Sequence, residues 1–269
     1  MYAPSPASSY ATRRRGAPRT ARVLTATLSA LLLGVAPLAA QLPGTPPPGT
    51  TDSRPTVAVL YFTNSALVGN AEYAPLSKGM AEMLITELAQ NPGVRVVERD
   101  RLQTLLEEQN LGSSDRVDKE SAVRIGKTLG AHHLLMGSFV IDQKQNVRID
   151  VRAVNTETSA VEYVESITGK ADRMLAMVGE LGTKVNAGLK LPPMPVRAPS
   201  VRVEPTGAKG PNQLRSMMLM SRALEQEDRG NPTAAVALYK QALDANPQLG
   251  PAKVRLASIE TGSGAPRTP

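Results

Sequence analysis

The chain has 269 residues, with 31 Lys and Arg against 24 Asp and Glu, a formal charge of +7, two Phe, and neither Cys nor Trp. Lacking Cys, it offers no disulfide, no thiolate metal site, no thiol nucleophile and no Cys for a lipid anchor. Arg13, Arg14, Arg15, Arg19 and Arg22 all precede residue 41, where no acid occurs, so the remainder holds 26 basic against 24 acidic side chains, near +2. That balance supplies no global attraction to nucleic acid.

The five arginines lead into an apolar run from Val23 to Ala40 that Pro37 interrupts. Basic residues, a short apolar segment and small residues describe a secretory signal over 1–40, with cleavage expected between Ala40 and Gln41. Gly16 and Ala17 follow the triple Arg where a twin-arginine signal wants a bulky apolar residue, so export of an unfolded chain is expected. A basic tail followed by a buried helix is the bland alternative. No apolar run of 18 or more residues follows, so no helical membrane anchor is expected. Residues 41–55, QLPGTPPPGTTDSRP, read as a Pro/Gly-rich tether.

A folded region is expected from 56 to 190. Val57, Val59 and Tyr61 alternate with Ala58, Leu60 and Phe62 in a nearly continuous apolar run, which suits a strand buried on both faces. A loop from Asn64 to Tyr73 precedes Pro75, which suits a first helical turn; Leu76, Met80, Leu84 and Leu88 then form one stripe. AQNPG ends that helix, a strand is expected over Val94–Glu98, and Asp100 opens the next helix, with Leu102, Leu105 and Leu106 facing inward. Asp118 is the expected N-cap of a helix through Leu129, closed by Gly130 at positive φ. Three meander strands follow at His132–Ile141, Val147–Val154 and Val161–Thr168, and Met174 to Leu189 marks a closing helix. Arg148, Asp150 and Arg152 alternate with Val147, Ile149 and Val151, the pattern of a sheet with one wet face. The sum is an α/β domain of α+β-like character: a mixed sheet with helices packed mainly on one side.

Residues 191–212 read as a linker. From 213 to 260 helices return, and Ala223, Gly230, Ala235, Tyr239, Ala242 and Pro247 fall at tetratricopeptide spacing, with Tyr239 filling between two antiparallel helices. Residues 216–249 make one unit, Gly250–Glu260 a cap or the start of another, and 261–269 a disordered tail. One repeat does not bury its apolar face alone, so it must pack on the main domain, a copy or a partner.

The candidate chemistry is sparse. His132 and His133 are adjacent, point to opposite faces of a strand and do not ligate one ion together. No phosphate loop or Gly-framed nucleophile occurs. No catalytic residue, metal site or cofactor is expected. The residues offered for interaction are Glu98, Arg99 and Arg101 at a charged strand-to-helix junction, Leu102, Leu105 and Leu106 on the helix behind it, and Tyr239 in the repeat. Local ion pairing is the plainer reading of the junction.

VAVL at 57–60, MLIT at 83–86, VVERDRLQTLLEEQ at 96–109, the stretch from Ala122 to Gly130, Gly137-Ser138 and IDVRAVNTETSAV at 149–161 together resemble the curli production assembly/transport component (CsgG) family. The N-terminal domain of TolB and a flagellar outer-membrane group share a similar architecture. The resemblance implies a ring-forming outer-membrane component that secretes unfolded subunits. Two departures argue against a spanning channel. There is no Cys to acylate, and the three meander strands leave no additional hairpins of roughly 9–11 residues per strand to cross a bilayer. The expectation is a non-enzymatic envelope assembly or secretion-accessory protein. It would lie in the periplasm or peripherally at the outer membrane, with envelope proteins as partners and a homo-oligomeric ring in prospect. A secretion-channel subunit and a small-ligand sensory domain with a pocket near Asn64–Tyr73 stay open as alternatives.

Overall fold

The computed structural model describes residues 52–66, 70–109, 118–194 and 212–262. The expected signal with its Ala40–Gln41 cut, and most of the tether, linker and tail, lie outside these residues.

β1 (Thr56–Val59) is buried at every position, as its unbroken apolar run requires. The chain then departs from the expected loop: β2 (Thr63–Asn64) pairs in parallel with the later strand β4, and α1 (Asn70–Tyr73) adds one helical turn. Pro75 occupies the N-cap of α2 (Leu76–Ala89), one position earlier than the first turn. β3 (Arg95–Val96) is shorter than the expected Val94–Glu98. α3 (Arg99–Glu108) and α4 (Lys119–Thr128) follow. The Asp118 carboxylate accepts the Ser121 N–H at 2.7 Å, and Gly130 takes φ +66 just past α4, so both ends of that helix close as anticipated.

β4 (His133–Ile141), β5 (Asn146–Asn155) and β6 (Val161–Lys170) form the meander, and α5 (Met174–Gly188) returns over it. The sheet runs β3-β1-β4-β5-β6, parallel among β3, β1 and β4 and antiparallel from β4 onward. It is a mixed sheet. Register places Leu135, Phe139 and Ile141 opposite Ala153, Ile149 and Val147 on the face that α5 covers. α5 runs antiparallel to β6: a Cβ at Gly188 would strike the Tyr163 ring, and one at Gly169 would lie 2.7 Å from Met177 Sδ. Met136, Ser138 and Val140 pair with Arg152, Asp150 and Arg148 on the wetter face. α4 packs on that second face at Leu134, where a Cβ on Gly126 would lie 3.6 Å from its Cβ.

α6 (Gln213–Asp228), α7 (Pro232–Ala245) and α8 (Gly250–Glu260) complete the chain. α6 lies against α2 and forms an antiparallel pair with α7, and α8 packs on α7. Met217, Met220, Ala223 and Leu224 of α6 join one continuous buried core with Met80, Leu84 and Leu181. Of the three ways the sequence left for the hairpin to bury its apolar face, the chain uses its own α/β domain. Among the described residues, no helix is long and apolar enough to cross a membrane.

Candidate interaction site

The approach of α6 to α2 is set by one residue. Gly79 lies at the end of the first turn of α2, and a Cβ there would collide with the Ser221 Oγ of α6. Glycine costs a helix interior about 1 kcal/mol relative to Ala; here it buys contact between two backbones. Ser221 satisfies its own hydroxyl by donating to the Met217 carbonyl at 2.7 Å.

At the end of this helix contact lies a cluster of charges drawn from four helices. Arg99, the first residue of α3, has a side chain only 1% exposed. Its Nη1 donates to Asp228 Oδ1 at 2.8 Å and Oδ2 at 3.1 Å, across 129 residues of sequence. Its Nη2 donates to Asp100 at 2.9 Å, and Glu82 and Glu227 stand at 3.7 and 3.9 Å. Lys78 of α2 reaches the same Asp228 at 2.5 Å and lies over the Tyr61 ring, 5.3 Å from its centroid. From α8, Arg255 grips Asp100 through both terminal nitrogens at 2.6 and 2.9 Å. Arg99 Nε and Arg255 Nε make no hydrogen bond; both face the Glu82 carboxylate, at 3.7 and 3.5 Å.

The cluster therefore joins the α/β domain, through Lys78, Glu82, Arg99 and Asp100, to the helical hairpin, through Glu227, Asp228 and Arg255. Three cations meet four carboxylates. Burial pushes Glu82 above the ordinary carboxylate value, while Arg255 and Arg99 pull it back. Burial works against the charge on Arg99, but Tyr61 and Asp228 outweigh it and its pKa stays above the usual value. The Tyr61 phenol, which donates to Gln103 Oε1, and the Tyr239 phenol, which donates to Glu227 Oε1, are both raised chiefly by burial. Chemically this is a clasp: it fixes the position of two modules and leaves its cations little freedom to bind anything else.

The residues marked from sequence separate accordingly. Arg99 and Tyr239 enter the clasp directly, Arg99 as its centre and Tyr239 by holding Glu227. Leu102, Leu105 and Leu106 are buried in the core, so the chain's own packing already covers the helix face offered to a partner. Glu98 occupies the N-cap of α3 without a side-chain capping bond, and it and Arg101 stay exposed. His132 and His133 diverge: His132 Nδ1 accepts the Thr56 N–H at 3.1 Å, and His133 Nδ1 faces Glu162 at 3.2 Å. Of the alternative pocket, Asn64 is buried with its Oδ1 accepting the Ala66 N–H, Tyr73 packs against the core, and 67–69 lie outside the described residues. Sequence reading missed Lys78, Glu82, Glu227, Asp228 and Arg255. A signal existed in Glu227 and Asp228, which end α6 where the helix dipole disfavours acids and so call for a cation from elsewhere.

Comparison with known proteins bears on the α/β region. No curated protein matches the chain. Solved structures that align with it include the LpoB C-terminal domain from Salmonella enterica (17% identity, 43% of this chain and 82% of that one, TM-score 0.33). Escherichia coli LpoB also aligns (14%, 62% and 95%, TM-score 0.36). So does a PelC dodecamer from Paraburkholderia phytofirmans (16%, 52% and 90%, TM-score 0.31). Residues 41–141 match the family model of the curli production assembly/transport component CsgG, which supports that family for the chain as far as the end of β4.

Proposed function

We propose that the protein is a non-enzymatic cell-envelope assembly or secretion-accessory component, acting by binding envelope proteins and by self-association. The observation that carries this reading is the CsgG family match over 41–141, which ends with β4 of the domain just described. The clasp adds a physical reason. A domain and a hairpin held in one register present their outer surfaces at fixed spacing, as a scaffold requires. The expected location is the periplasm, with peripheral association at the outer membrane. Tetratricopeptide-like α6–α8 would supply the partner-binding part. Fractionation of a two-membrane bacterium expressing the tagged chain, followed by crosslinking in the intact cell, tests the role. Recovery in the osmotic-shock fraction with crosslinks to envelope proteins is expected. Retention in the cytoplasm, or crosslinks confined to cytoplasmic proteins, would overturn it.

A further inference from the structure

β6 ends the sheet among the described residues, and it is ten residues long with no proline. Two of the three large apolar side chains left exposed by the described chain, Val161 at 46% and Val164 at 65%, lie on it. An open edge of that length is a template for another strand. The Ser166 N–H donates to the carboxylate of its own neighbour Glu165 at 3.1 Å, which puts that amide on the open side of the strand.

We propose that β6 pairs antiparallel with β6 of a second copy about a two-fold axis through Ser166, joining two sheets into one. The inference deepens the self-association in the proposed function and rests on that reading for its use in the cell; its test needs only the purified chain.

Two elements give the same axis. In a symmetric antiparallel pair each residue faces a partner equally far beyond the axis, on the same face of the sheet. With Ser166 at the centre, Glu162 meets Lys170 of the second copy and Val164 meets Thr168. Glu165 meets Ile167, and Tyr163 meets Gly169. Opposite charges and a β-branched pair fall together, no like charges do, and nearly the whole strand is used. Moving the centre one residue toward the N-terminus puts Glu165 of one copy opposite Glu165 of the other, a like-charge pair. The helix agrees. α5 crosses Tyr163 at Gly188 and Gly169 at Met177, so the middle of its crossing, near Gly182, lies over Ser166. Glu180 and Lys184 flank that point, and Lys184 already pairs with Glu180 and Glu165 at 3.4 Å each. Across the axis Glu180 of one copy would face Lys184 of the other, with the exposed small side chains of Ala176 and Ala187 leaving room for the two helices.

The experiment is sedimentation equilibrium of the full chain, with charge exchange at the strand ends. Wild type should dimerise at micromolar to high-micromolar concentration. Glu162→Lys alone and Lys170→Glu alone should each weaken the dimer about tenfold or more, by placing like charges opposite. The double exchange should restore it to near wild type. Because the chain has no Cys, Ser166→Cys offers a direct check: a short bis-maleimide should link two copies rapidly, and the same cysteine at Thr158 should not be linked. A wild type that stays monomeric throughout would overturn the inference, as would a dimer indifferent to both reversals or no rescue by the exchange. Partner crosslinking in cells is unaffected by such a result, so this failure is distinct from failure of the envelope role.

Discussion

Replacing Arg99 by Met tests the clasp at its centre. Met keeps most of the aliphatic stem and removes the guanidinium, so Asp228 loses two hydrogen bonds and Glu82 and Glu227 lose a nearby cation. Asp228 is 6% exposed at its side chain and keeps Lys78 as a partner; Asp100 is 48% exposed, so water screens much of its share. Breaking a buried ion pair by removing one member costs about 3–5 kcal/mol, against a total stability of about 5–15 kcal/mol. At a urea slope of about 2–3 kcal/mol/M the midpoint should fall by roughly 1–2 M. The cost comes from stranded carboxylates, not from lost packing, so Asp228→Asn on top of Arg99→Met should add little. The double variant should then be more stable than the sum of single losses predicts by about 1 kcal/mol or more. Urea denaturation of the four proteins, read by circular dichroism, completes the cycle. Strict additivity, or an Arg99→Met midpoint within error of wild type, would refute the account of Arg99 as the buried centre of the domain–hairpin junction.

Three further substitutions probe the same architecture. Gly79→Val puts a branched side chain where Ser221 and the α6 backbone already lie, so α6 should lift from α2; hydrogen exchange should accelerate across 213–228 while β4 and β5 stay protected. Glu82 has a raised pKa, so its contribution to stability is complete in acid, below its unfolded-state value, and is lost as pH rises through the folded-state value. Glu82→Gln mimics the protonated form and should gain on wild type as pH rises from 4 to 8; a variant that loses ground over that range would contradict the burial argument. Gly137→Ala drives a methyl into the ring of Phe62, which is 1% exposed and has nowhere to turn. Thermal or urea melts should show a loss of about 1–3 kcal/mol, the usual cost of overpacking.

Much of this fold can be read from local pattern. The apolar run at β1, the alternation of β5, the Asp118 cap and Gly130 are decided by neighbours within a few residues, and they appear where pattern places them. β2 does not announce itself, because its two residues become a strand only by lying beside Ser138 and Phe139 of β4. Asp100 reads as an ordinary first-turn acid; its grip on Arg255 spans 155 residues and leaves no periodic trace. Gly79 likewise shows its role only in three dimensions, where a Cβ would strike the Ser221 Oγ of α6. The surface offered at Leu102–Leu106 illustrates the converse: a one-sided stripe shows that a face is covered, without showing by what.

The separation between Arg99 and Asp228 also bears on the order in which the molecule acquires its final form. A polypeptide that emerges N-terminus first presents Arg99 and the apolar side of α2 long before residues 213–228 arrive. Until then the guanidinium lacks its principal carboxylate and keeps its hydration, and Met80 and Leu84 stay short of their last cover. Consolidation is thereby deferred to nearly the end of the chain. The late-arriving acid thus closes a structure whose earlier parts are already in place.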